Sequence, residues 1–341
     1  MGQFEQRFPS IESYWRAVIL FGQNAASYKF ALAKSLLELA SAEKTFITLE
    51  ELALPFAMHV VEHIKVVDKQ GQRPTGPFLQ GCRSFVTGEI DVEKLRAISA
   101  RYGFINVIDA FHVVNRAPIP ISFFEDAREK RGGIVVTDQL LALKSRIQFE
   151  NLPIEVEARW NLVQTAWDLG ISRSVLAIHA DERGHLFVIN RDKRRKSVTS
   201  SRDALNGYQK GKCFYCFRDI SIVPSSDAMA DVDHFFARTL SRDEALTANL
   251  DGVWNLVLAC RSCNRGSQGK STRVPAVHYL DRLHTRNEFL IASHHPLRET
   301  LMLQMGQNET GRSAFLRQRY AEAAERLVHE WRAPSEEAPA F

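Results

Sequence analysis

Two Cys-x-x-Cys pairs constrain this chain more than any other feature: Cys213-Phe-Tyr-Cys216 and Cys260-Arg-Ser-Cys263. Each pair puts two thiols on one tight turn. Two such turns supply the four tetrahedral sulfur ligands of a structural zinc. The 43 residues from Phe217 to Ala259 must then form a loop whose ends are pinned together. Paired cysteines can also form disulfides, but only in an oxidising compartment. The opening MGQFEQRFPSIE carries Glu5 and has no apolar signal core. No apolar run reaches the ~20 residues needed to cross a bilayer. The expected compartment is therefore the cytoplasm, with no membrane partner, and paired cysteines there point to metal. Cys82, the fifth, is expected to be a small buried hydrophobe.

The residues between and after the pairs carry chemistry: Asp231-Val-Asp233-His234, Trp254-Asn255 and Asn264-Arg265-Gly266. Val232 starts one short strand, and Leu256–Leu258 forms another that runs into Cys260. The residues after Cys263 can open a helix, with Asn264 near its first turn. A hairpin and helix stapled in this way draw Asp233, His234 and Asn264 towards one place. Oxygen ligands from Asp233 and Asn264 suit a hard cation, Mg²⁺ or Mn²⁺, that binds phosphate oxygens. His234 is the nearby side chain whose pKa suits taking a proton from water near neutral pH. Asp231 shares a strand face with Asp233 and is an outer member of the set. Asn255 is better suited to bridging backbone groups than to chemistry.

This order of motifs, CxxC, DVDH, an Asn before a strand, then CxxC followed directly by Asn, resembles the HNH, or ββα-metal, endonuclease family. It is similar to the phage junction-resolving endonucleases of that superfamily. The DVDH and NRG pieces are similar to the HNH domain of the RNA-guided CRISPR effector nuclease. The resemblance covers about Lys210 to Arg273, under a fifth of the chain. It implies that Asp233 and Asn264 hold the catalytic cation, that His234 is the general base and that Asn255 braces the loop. It also implies that Cys213, Cys216, Cys260 and Cys263 hold zinc away from the catalytic centre. The sequence departs from the family pattern in three places. Phe235-Phe236-Ala237-Arg238 follows His234 where many members have Pro, and the loop Thr239 to Gly252 is long. After Asn264 the run Arg-Gly-Ser-Gln-Gly-Lys is three residues longer than in a bare NRGK.

The remaining sequence frames this segment. At 341 residues and 45% hydrophobic, the chain can bury more than one core. The expected fold class is α+β, mostly α. Residues 1–170 form a helical domain, and 171–274 a β-hairpin, a basic stretch and the HNH core. Helices follow over 275–332, and 333–341 is a frayed tail. In the first domain, helices are expected from Ser10, over Ala25–Leu39 and Leu49–Val67, near Val92–Tyr102 and Ile105–Val114, and over Pro153–Leu169. Gly71–Gly81 reads as a connection. Phe123, Phe124, Trp160 and Trp167 are expected in the core. Ser174–Ile178 and His185–Ile189 read as a hairpin, Val277–Leu290, Leu297–Met305 and Ser313–Trp331 as C-terminal helices.

Net charge is only +4, but Arg191 to Lys212 holds eight basic residues against two acidic. That stripe is either a phosphate-binding surface or a solvated hairpin end. Arg194, Arg195, Lys196, Arg265 and Lys270 are the candidate contacts to DNA. His59-Val-Val-Glu62-His63 matches an inverted zinc-protease motif, but no third ligand is evident, and a partly exposed helix face is the favoured reading. Two function classes result. One is a metal-dependent endonuclease of the restriction or phage-defence kind, acting on DNA. The other is a zinc-stapled nucleic-acid-binding or interaction module that does no chemistry. Residues 1–170 carry no nameable motif and offer a surface for a second copy or a partner subunit.

Overall fold

The computed structural model describes residues 9–22, 26–71, 75–114, 116–168, 179–180, 185–189, 195–242, 250–292 and 297–341. The chain divides into two compact units, Arg7–Ile171 and a second that holds Ser172–Phe341. The class is α+β with helices dominant and small sheets.

In the first unit Ser10 caps the helix Ile11–Phe21 by accepting the Ser13 amide. Thr48 and Glu51 form a reciprocal capping box on Leu49–Val66, which satisfies two orphan amides at once. Other helices are Tyr28–Leu39, Val92–Tyr102 and Leu152–Asp168. Their apolar faces enclose Trp15, Phe30, Phe56, Phe78, Phe111, Phe123, Phe124, Trp160 and Trp167, with Cys82 fully buried among them. The connection expected over Gly71–Gly81 is shorter than that, because Pro77, at the first helical position, starts the helix Pro77–Val86. Instead of one helix over Ile105–Val114, a single turn, Val107–Ala110, gives way to the strand Val113–Val114. This unit is also not purely helical. Phe46–Thr48, Gly133–Val136 and Phe124–Ala127 form an antiparallel sheet with Gly133–Val136 in the centre. A Cβ at Gly133 would lie 2.2 Å from the Ile47 carbonyl oxygen, so only glycine admits that approach.

The His59/His63 pair faces carboxylates on other helices. His59 Nε2 lies 2.8 Å from Glu38, and His63 Nε2 lies 3.1 Å from Glu157. His63 Nδ1 bonds Gln164 at 2.7 Å, and the His63 ring stacks 3.5 Å from Trp160. His63 is buried rather than on a partly exposed face.

In the second unit His179–Ala180, His185–Ile189 and Arg195–Ser200 form a three-stranded antiparallel sheet. The expected strand Ser174–Ile178 and residue Arg194 lie outside the described residues. Arg195 and Lys196 are on the third strand, opposite Ile189 and Val188, so the basic run continues the sheet rather than following it. Ser200 caps the helix Ser201–Gln209. Helices Val277–Ala292, Arg298–Met305 and Glu309–Arg326 complete the unit. The last one stops short of Trp331, which lies on a strand, Glu330–Trp331, parallel to Val274–Pro275.

The end of the chain does not fray. Phe341 packs 5.2 Å from the Tyr208 ring and 5.1 Å from that of Phe217. Glu337 donates its amide to the Cys216 carbonyl at 2.9 Å. Glu336 accepts from Tyr279 at 2.6 Å and from Arg282 at 3.1 Å. Arg282 in turn donates to the Tyr215 carbonyl at 2.8 Å. The tail thus latches the first cysteine pair to the Val277–Ala292 helix. No helix among the described residues is long and apolar enough to cross a membrane.

Candidate active site

The two cysteine pairs meet. The sulfurs of Cys213, Cys216, Cys260 and Cys263 all lie within 4.8 Å of one another. Cys216 and Cys260 Sγ are 3.8 Å apart, the spacing of sulfurs that share a tetrahedral ion at about 2.3 Å. The set is therefore compatible with a structural zinc. Hydrogen bonding with Cys213 holds Cys216 down at about 7 and lowers Cys260, while it raises Cys263; Cys216 in turn raises Cys213. Close thiols share protons, and a divalent ion would replace them. The first turn closes through Phe217, in the left-handed region at φ 59°. That conformation is unfavourable for a residue with a Cβ. Its buried ring packs under the Arg282 guanidinium at 4.1 Å, which offsets the strain.

On this staple sits a hairpin. Strand Asp231–His234 pairs antiparallel with Leu256–Ala259, His234 opposite Leu256 and Asp233 opposite Val257. A single helical turn, Arg261–Asn264, follows with Cys260 as its N-cap residue. Asn264 is the last residue of that turn, not in its first part as the sequence suggests, because the turn begins inside the second cysteine pair. The chain then doubles back. Lys270 donates its amide to Cys263 and Ser271 to Asn264, across a turn closed by Gly269 to Gly266. A Cβ at Gly269 would lie 2.8 Å from the Gly266 nitrogen. With three residues more than a bare NRGK in this loop, Lys270 is turned inward.

Asn255 is a brace, as its sequence position suggests. Fully buried, it accepts the Phe236 amide at 2.8 Å and donates to the Phe236 and Leu250 carbonyls at 3.0 and 2.8 Å. From the other side Arg286 and Asn287 donate to the Trp254 carbonyl at 3.1 and 3.2 Å.

His234 ends its strand, with its side chain 18% exposed. Nε2 lies 3.0 Å from Asp251 Oδ1, and Arg238 Nε lies 3.3 Å from the same oxygen. Burial pulls the imidazole below its usual pKa, against the opposing pull of Asp251 and Asp233. That shift favours the neutral ring, the state a general base needs.

The carboxylates are arranged differently from the expectation. Asp233 is buried; Oδ2 accepts from Tyr215 at 2.7 Å, and Oδ1 lies 3.3 Å from Lys270 Nζ. Burial raises its pKa, against Lys270 and Tyr215. Asn264 turns its amide nitrogen to Asp231 Oδ2 at 3.1 Å, and Arg265 Nε lies 3.0 Å from that oxygen. Asp233 and Asn264 thus engage separate partners, Lys270 and Asp231. Each Asp233 oxygen is shared with a protein donor and Asn264 is turned to Asp231, so this arrangement does not present the pair as joint ligands of a hard cation.

Lys270 is a correction to the sequence reading. Its side chain is 0% exposed, and its ammonium also donates to the His234 carbonyl at 3.0 Å. Such an ammonium is out of reach of a phosphate backbone. Arg265 is 64% exposed and stays at the surface. Sequence reasoning missed Asp251 and Tyr215. Tyr215 lies between two recognisable cysteines; Asp251 had no signal, being brought to His234 only by closure of the loop.

The chain matches no family model, no curated protein and no solved structure.

Proposed function

We propose that the second unit is an HNH-type endonuclease that hydrolyses DNA phosphodiester bonds, with His234 as general base and the four cysteines holding a structural zinc. The observation that carries this reading is the state of His234. Its ring is partly exposed and gripped at Nε2 by Asp251, at the end of a braced hairpin that leads into the Asn264 turn, and burial lowers its pKa. A histidine with a purely structural role would gain nothing from that exposure. In the proposed step a water oxygen attacks phosphorus while its proton passes to His234 Nδ1. The bridging P–O bond breaks, and the leaving oxygen takes a proton from solvent. General-base assistance of this kind is worth about 10²–10⁴ in rate. Bound zinc supplies folding free energy rather than chemistry. No step runs through a divalent cation at Asp233 and Asn264. Arg265, at the rim, is suited to a phosphate contact.

The test is incubation of supercoiled plasmid with the full chain, with Mg²⁺, with Mn²⁺ and with EDTA, beside His234→Ala. Nicking by the wild type and its loss in His234→Ala, at unchanged zinc content, is the expected result. Equal cleavage by both proteins, or none by either, would leave the zinc-stapled binding module as the better reading.

A further inference from the structure

We infer that Asp251 is a positioning residue for His234: it accepts the Nε2 proton and so makes Nδ1 the nitrogen that receives a proton from water. This rests on the nuclease reading above and names a part of its machinery that the motif residues do not include.

The geometry is a chain of three groups. His234 Nε2 and Asp251 Oδ1 are 3.0 Å apart, and Arg238 Nε is 3.3 Å from that oxygen. A neutral imidazole has one N–H and one lone pair, and a carboxylate partner selects which nitrogen carries the proton. With the proton on Nε2, the acceptor lone pair is on Nδ1. Among the described residues no protein group bonds Nδ1. Other charged groups near the ring are Asp233 on its own strand and Lys270, which bonds the His234 carbonyl. Neither is placed to choose the tautomer, since the Asp233 oxygens face Tyr215 and Lys270.

Asp251 is itself held. Asn255 grips the carbonyl of the preceding residue, Leu250, at 2.8 Å. The next residue, Gly252, accepts the Asn255 amide at 2.9 Å, and a Cβ there would lie 2.5 Å from the Trp254 ring. The Asn255 brace therefore does more than close the loop: it sets the backbone on both sides of Asp251. A carboxylate on a backbone so fixed can hold a ring within the narrow angular range that proton transfer demands.

The experiment combines a tautomer readout with cleavage. In full-length, histidine-labelled protein above the His234 pKa, nitrogen NMR should show His234 as the Nε2–H form. Asp251→Ala should shift it towards a mixture, and Asp251→Asn, which keeps an acceptor oxygen, should restore the Nε2–H form. On supercoiled plasmid with Mn²⁺, Asp251→Ala should slow single-turnover nicking at least about tenfold. The ceiling is the ~10²–10⁴ of the base itself. DNA affinity and zinc content should not change, and Asp251→Asn should recover most of the rate. A wild-type His234 in the Nδ1–H form, or an Asp251→Ala protein that nicks at wild-type rate, overturns the inference. If the wild type does not nick at all, the nuclease reading fails, while the NMR spectra still decide whether Asp251 sets the ring.

Discussion

Replacing Lys270 with Met should destabilise the second unit severely, and the size of the effect can be worked from the site. The ammonium is fully buried, 3.3 Å from Asp233 Oδ1, whose own side chain is 8% exposed. At an effective dielectric of about 20, unit charges at that distance attract by about 5 kcal/mol. That attraction does not make the pair a net stabiliser, because burial still raises the Asp233 pKa in its presence. Desolvation wins, as it commonly does for buried pairs. Lys270→Met removes the compensating charge and leaves the carboxylate with only the Tyr215 hydroxyl. Stranding one member of a buried pair costs about 3–5 kcal/mol. For a unit of this size that is a fall in melting temperature of roughly 6–20 °C. Asp233→Asn should also destabilise, by stranding the ammonium. The double variant should lose less than the sum of the two, since neither charge is left alone. Thermal and urea unfolding of the full chain and its three variants measures this cycle. A Lys270→Met protein that melts within 2 °C of wild type, but binds DNA with a salt slope lower by about one, would refute the reasoning. It would return Lys270 to the DNA-facing surface.

Three further outcomes are expected. Cys213→Ser should abolish zinc retention, read by elemental analysis, and unfold the second unit, since zinc affinity there is folding free energy of about 10–16 kcal/mol. Truncation before Glu336 removes the Phe341 packing and the ties to Cys216, Tyr279 and Arg282. It should lower the melting temperature and speed zinc loss to a chelator, whereas unchanged zinc kinetics would mean the tail is not a latch. In the first unit, burial holds His112 down at about 4, and its Nε2 accepts the Phe123 amide at 2.9 Å. The unfolded chain protonates near 6.5, so it binds the proton that the folded state refuses. The stability from this group is present above about pH 6.5 and is lost as pH falls towards 4, roughly 3 kcal/mol in all. Melting curves across that range should show the loss, and His112→Gln should flatten it.

What was legible in the sequence was whatever short-range spacing encodes. The cysteine spacing announced a four-sulfur cluster, because two residues between thiols force both onto one turn. The cap at Ser10 and the apolar spacing over Ala25–Leu39 and Leu49–Val67 announced helices, because 3.6 residues per turn is a local property. Asn255 read as a brace from its place beside a recognisable strand. No local pattern pairs the Gly133–Val136 strand with Phe46–Thr48, which is distant from it in sequence.

Tertiary structure decided how charges were distributed around that scaffold. Asp231 and Asp233 are two residues apart on the same strand, and alternation alone gives them equivalent roles. Only the fold shows that Asp233 meets Tyr215 and Lys270 in the interior while Asp231 meets Asn264 and Arg265 at the rim. Lys270 read as a surface cation because lysine usually is one. The turn closed by Gly266 and Gly269 reversed that, since it points the side chain at a buried carboxylate that needs a counter-charge. Asp251 and the C-terminal tail show the same limit. Neither carries a pattern, and each acquires its role only when a long loop or a chain end closes onto residues that spacing cannot connect.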